Sequence, residues 1–128
     1  MNDEYRLLVV DDDPTIREML VMMLSSEGFE VVTASHGAEA LKLLDAYHPH
    51  VILLDMKMPV MDGWEFMERY RRRPGVRVPI VVLTAAQDDK RRAADVGADA
   101  YIAKPFGIDD LVDTLERFAR NGASSPRH

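Results

Sequence analysis

Read from its amino terminus, the chain alternates between short unbroken apolar runs and longer stretches where apolar residues return every three or four positions. The runs are Leu7–Val10, Val51–Leu54 and Ile80–Leu83, with weaker ones at Glu30–Thr33 and Ala100–Ile102. Uninterrupted Val, Ile and Leu suit strands covered on both faces, as in a parallel sheet. Between the first two runs, Ile16, Met19, Leu20, Met23 and Leu24 follow the i, i+3, i+4, i+7, i+8 stripe of an amphipathic helix. Pro14 stands at a first helical position, where its missing N–H costs nothing, and Gly28 marks the stop. A second helix is predicted over about Gly37 to Ala46, with Leu41 and Leu44 inward, and a third over about Asp62 to Arg72, with Phe66, Met67 and Tyr70 inward. A short fourth covers about Asp88 to Val96, closed by Gly97. The last runs from about Ile108 to Arg120, with Ile108, Leu111, Val112, Leu115 and Phe118 on one stripe and Asn121-Gly122 ending it.

Five strands alternating with five helices predict an α/β fold with a single doubly wound parallel sheet and right-handed crossovers. No internal linker or low-complexity segment breaks the pattern, so residues 1–122 are expected to form one domain and residues 123–128 a short flexible tail. The length of 128 residues fits that count. Such a chain buries roughly two thirds of its unfolded surface. A content of 47% hydrophobic and 30% charged residues is globular, and the net charge of -6 argues against broad attraction to nucleic acid or anionic lipid. There is no cysteine, which removes disulfides and thiolate metal sites. Met1-Asn2-Asp3-Glu4 leads into no signal-like apolar region, and no run is long enough to cross a bilayer, so a cytoplasmic protein is expected.

Chemistry is expected where the strands end, because open α/β sheets bind ligands outside the carboxyl ends of their strands. The first run ends in Asp11-Asp12-Asp13, the third in Asp55 and the fourth in Thr84, while the fifth is followed by Lys104-Pro105. If the first and third strands are neighbours, their tips lie about 5 Å apart and Asp11, Asp12 and Asp55 crowd together. Carboxylates that close repel unless a cation intervenes. The donors are all hard oxygens, which suits Mg²⁺, with Mn²⁺ as the alternative ion. A site with Mg²⁺, a lysine, a hydroxyl and a carboxylate nucleophile suits phosphoryl transfer, and Asp55 is the candidate nucleophile. Each signal also has a plain structural meaning. Asp13 reads as a helix cap, Thr84 alone as a strand-end hydroxyl and Lys104 alone as a surface cation. Their coincidence at one sheet edge carries the weight.

These residues make the chain similar to the receiver domains of two-component response regulators, over about Tyr5 to Ala119. The matching stretches are Leu8-Val9-Val10-Asp11-Asp12-Asp13-Pro14 and Leu53-Leu54-Asp55-Met56-Lys57-Met58-Pro59, continuing into Met61-Asp62-Gly63. Leu83-Thr84-Ala85 and Tyr101-Ile102-Ala103-Lys104-Pro105-Phe106 complete them. The resemblance implies a flavodoxin-like (βα)5 fold with strand order 2-1-3-4-5. It also implies that Asp55 accepts a phosphoryl group from a phosphohistidine on a sensor histidine kinase or histidine phosphotransfer protein. Asp12 is implied as a direct Mg²⁺ ligand, Asp11 as a direct or water-mediated one, and Lys57 as the donor of a backbone carbonyl. Lys104 is implied to pair with a phosphoryl oxygen, and Lys104-Pro105 to be a cis peptide.

By the same resemblance Thr84 and Tyr101 form a switch. The hydroxyl moves to the phosphoryl oxygens, the ring turns into the vacated space, and the surface over the fourth predicted helix, fifth strand and fifth predicted helix changes its affinity for a downstream protein. Small Ala85 leaves the site open to a donor, and Lys57 and Ala86 occupy the positions that tune phosphoryl lifetime. The implied protein is a stand-alone signalling switch rather than an enzyme, without direct nucleic-acid or membrane contact, either a monomer or a phosphorylation-dependent dimer. The alternatives are a receiver fragment of a longer transcription factor, a Mg²⁺-dependent phosphohydrolase and an unphosphorylated pseudo-receiver. Phosphohydrolases of the haloacid dehalogenase class need a second acid two positions after the nucleophile, where this chain has Lys57. The pseudo-receiver reading conflicts with the intact acidic, hydroxyl and lysine positions.

Other features read as structure. The eight methionines are expected to pack, with Met58 and Met61 partly exposed. Arg69, Arg71, Arg72 and Arg73 suit a solvated helix end, Trp64 lies off the inward stripe, and His36, His48 and His50 lack metal-ligand spacing.

Overall fold

The computed structural model describes residues 5–55, 63–73, 77–84, 98–103 and 106–124. The strands are β1 (Arg6–Val10), β2 (Glu30–Ala34), β3 (Val51–Asp55), β4 (Ile80–Thr84) and β5 (Ala100–Ala103). The described helices are α1 (Pro14–Ser26), α2 (Gly37–Leu43), α3 (Gly63–Arg72) and α4 (Ile108–Ser124). All strand pairs are parallel, in the order β2-β1-β3-β4-β5. The helix expected over Asp88 to Val96 lies outside the described residues.

Side chains along a strand alternate between faces, and the sheet therefore separates two cores. Leu8, Val10, Ile52, Leu54, Ile80 and Val82 join Ala40 and Leu44 near α2 and Phe66, Met67 and Tyr70 of α3. Their alternates Leu7, Val9, Val51, Leu53, Val81 and Leu83 join Leu20 and Leu24 of α1 and Leu111, Val112, Leu115 and Ala119 of α4. Each fully buried Leu or Phe of this kind stabilises the fold by about 1.5–3 kcal/mol relative to exposure.

Local chemistry sets the helix ends that matter for the site. Asp13 Oδ1 accepts from Thr15 N at 2.9 Å and Ile16 N at 3.3 Å, capping α1 ahead of Pro14. At the other end Gly28, with φ of 101°, permits Gly28 N→Ser25 O at 3.0 Å and Phe29 N→Leu24 O at 3.1 Å. That bond pair is a Schellman stop, and it buries Phe29 against the α1 core. In α2, Nδ1 of His36 accepts from Glu39 N at 3.2 Å, while Glu39 Oε1 accepts from Ser35 N at 2.7 Å and Ser35 Oγ at 2.8 Å.

Two predicted boundaries need correction. The second helix ends at Leu43 rather than Ala46, because Asp45 N→Lys42 O and Ala46 N→Leu43 O tighten its end into turns. The last helix continues through Asn121-Gly122 to Ser124. A glycine costs a helix only about 1 kcal/mol relative to alanine, too little to break one already nucleated.

The inward stripes of α3 and α4 are as expected, except that Ile108 and Phe118 are only partly buried and Ala119 joins the core. On α1 only Leu20 and Leu24 are fully buried, whereas Met19 and Met22 are 37% and 73% exposed and depart from the packing role expected of methionine. Met67 does pack. The arginines at the end of α3 are paired as a solvated helix end would be: Arg69 with Glu65, Arg72 with Glu68 and Arg73 with Asp45. The side chain of Trp64 and residues Met58 and Met61 lie outside the described set.

Candidate functional site

The sheet register explains how acids distant in sequence meet. Val10 pairs with Leu54 across β1 and β3, so the next residues, Asp11 and Asp55, leave adjacent strands at the same level. Asp55 pairs with Leu83, and Thr84 follows at the end of β4 beside Ala103. One carboxylate oxygen each from Asp11, Asp12 and Asp55 lie within 4.8 Å of one another. Asp11 and Asp55 are 2% and 5% exposed, while Asp12 is exposed. Among the described residues this is the one group of acids or histidines close enough to share an ion; the histidines take no part.

The turn after β1 is pinned by its own chain. Asp11 N donates to Ala34 O at 3.1 Å, and Asp11 Oδ1 accepts from Asp13 N at 3.0 Å. Arg17 Nη1 donates to the Asp11 carbonyl at 2.8 Å. Asp13 spends its own carboxylate on capping α1 and stays out of the acidic group, as its cap reading expected. Sequence reasoning passed over Arg17; the available signal was a cation in an early helical turn, where the helix dipole disfavours it.

Three carboxylates this close, two of them buried, constitute a large local negative charge in a site of low dielectric. The donor set is entirely oxygen and leaves other positions of an octahedral ion to water or phosphate, which fits Mg²⁺. Of the remaining expected site residues, Thr84 is placed by its backbone at the neighbouring strand tip, and Tyr101 lies on β5 with 44% exposure. Lys57, Ala85, Ala86, Lys104 and Pro105 lie outside the described residues.

No described helix is long and apolar enough to cross a membrane. The family model for the response regulator receiver domain matches residues 7–116. The response regulator MprA of Mycolicibacterium vanbaalenii is 42% identical over 117 residues, covering 90% of this chain and 50% of the relative. The chain thus spans about half the length of the curated relatives it matches, several of which are named transcriptional regulators. Among solved structures, the chemotaxis response regulator CheY4 of Vibrio cholerae superposes with a TM-score of 0.83 at 36% identity, covering 91% of this chain and 99% of that one. The receiver domain of sensor histidine kinase PA1611 from Pseudomonas aeruginosa, solved with a magnesium ion in its active-site cleft, gives 0.84 at 31% identity, covering 92% and 99%. With the sheet order, the acidic trio and these likenesses in agreement, the chain belongs to the response regulator receiver domain family of two-component signalling.

Proposed function

We propose that this chain is a phosphoryl-accepting switch that takes its phosphoryl group on Asp55. The observation carrying the proposal is the convergence of Asp11, Asp12 and Asp55 within 4.8 Å at the carboxyl end of the sheet. In this reading a carboxylate oxygen of Asp55 attacks the phosphorus of a phosphohistidine on a sensor histidine kinase or phosphotransfer protein. The new P–O bond forms as the P–N bond breaks, and the bonding pair leaves with the imidazole, which takes up a proton. Asp11, Asp12, Asp55 and the Lys57 carbonyl would hold Mg²⁺, which when bound neutralises charge on the phosphoryl oxygens. Lys104 supplies a second cation to those oxygens and Thr84 a hydroxyl donor. Burial of Asp55 excludes most water from the attacking atom.

The output is a change in affinity for a downstream protein, with Tyr101 as the moving element. Its ring is exposed on β5 and turns inward once Thr84 is drawn to the phosphoryl group. Cellular location follows as cytoplasmic, where the phosphohistidine donors of this class work.

Incubation with acetyl phosphate, with and without Mg²⁺, followed by intact mass measurement tests the chemistry. A single phosphoryl gain that needs Mg²⁺ and disappears in Asp55→Asn is expected. A gain that survives Asp55→Asn would falsify the acceptor assignment.

A further inference from the structure

The main chain of Asp11 is held by a cation from the helix that follows it. Arg17 Nη1 reaches the Asp11 carbonyl at 2.8 Å in a partly buried contact. Since Asp11 N is held by Ala34 and Asp11 Oδ1 by Asp13 N, this contact completes the restraint of a residue only 2% exposed.

Arg17 occupies an unfavourable place for a cation. It is the fourth residue of α1, its N–H closes on Asp13 O at 2.9 Å, and the first turn carries no acid. The positive end of the helix dipole disfavours an arginine there. The offset comes from the Asp11 carbonyl.

We infer that Arg17 is a positioning residue for the acidic site, fixing the Asp11 carboxylate by holding its main chain. The inference rests on the reading of Asp11, Asp12 and Asp55 as an ion site. Its two physical effects have opposite signs, which makes it testable. As a like charge near the site, Arg17 would weaken cation binding, and its removal would tighten it. As a restraint, it keeps the carboxylate aimed, and its removal weakens binding. The restraint dominates because the contact is short and direct, whereas the charge is partly solvated and screened.

The test titrates Mg²⁺ alone into the full chain by calorimetry, for wild type, Arg17→Met and Arg17→Lys, with melting curves in chelator. Arg17→Met is expected to weaken Mg²⁺ binding roughly tenfold, as loss of an outer-shell partner does, while its ion-free melting stays close to wild type. Arg17→Lys keeps the charge without the planar fork and falls between the two. Unchanged or tighter binding in Arg17→Met overturns the inference and leaves the ion site standing. Absence of Mg²⁺ binding in wild type overturns the ion site and this inference with it. If Arg17→Met does not fold, Arg17→Lys decides: weaker binding than wild type supports the role, and equal binding removes it.

Discussion

The two ends of the sheet are built from polar residues in opposite ways. At the amino end several polar groups are answered from within the chain. Arg6 N donates to His50 Nδ1 at 2.8 Å, His50 N returns the bond to Arg6 O at 2.8 Å, and Arg6 Nε donates to His48 O at 2.8 Å. Tyr5 meets the His50 ring edge-on, and its carbonyl accepts from Glu30 N. At the carboxyl end the chain instead gathers like charges from β1 and β3 and fixes them in place. The first arrangement is held by bonds within the chain; the second brings together carboxylates whose repulsion a cation would relieve. The contrast separates residues that stabilise this fold from residues that the fold holds at a cost in stability.

The strongest way to probe that contrast is to weaken what both ends share. Leu53 is fully buried between the two regions, and Leu53→Ala should cost about 3 kcal/mol or more, equally with and without Mg²⁺ in chemical denaturation. A loss confined to one condition would mean that the ends are not mechanically joined. Next comes Asp12→Asn, which relieves repulsion within the trio. Its melting temperature in chelator should rise by a few degrees, and the stabilisation that Mg²⁺ gives wild type should largely vanish.

A smaller effect is expected at the other end. The His50 pKa lies below its ordinary value, through burial first and then the nearby Arg6, with Glu30 opposing. A protonated imidazole also cannot accept from Arg6 N. The folded state therefore binds fewer protons than the unfolded state, and stability rises with pH. The contribution is complete above about pH 6.5, the unfolded value, and is lost as pH falls from there through the lowered folded value. His50→Gln keeps an acceptor without the titration and should flatten that part of the stability curve. A slope retained in His50→Gln would assign it elsewhere. The smallest effect belongs to Glu65→Gln, which removes an ion pair to Arg69 whose side chains are 47% and 57% exposed. It should change stability by less than about 0.5 kcal/mol.

How legible each strand was in the sequence follows from its place in the sheet. β1 and β3 lie inside it, are buried almost throughout, and show as continuous apolar runs. β2 and β5 are the edges, and their mixed burial explains the weaker runs at Glu30–Thr33 and Ala100–Ile102. The acidic trio was readable because Asp11, Asp12 and Asp55 stand where apolar runs stop, and parallel register brings such stops to one edge. The part played by Arg17 was only hinted at, by a cation in an early helical turn, since its partner is a main-chain carbonyl that no residue pattern encodes. The exposed methionines of α1 were misjudged for a related reason. A periodic stripe gives the side of a helix that faces inward, but the neighbouring elements decide how much of that stripe they cover.

Asp55 is the last residue of a strand in which all five positions are buried. It is rooted in a fully buried strand, where close packing leaves little slack to absorb added volume. If a phosphoryl group is carried there, as proposed, it must push outward. In that case the sheet would serve as an anvil, so that a modification of a few atoms is felt at the surface as displacement instead of being lost as internal strain.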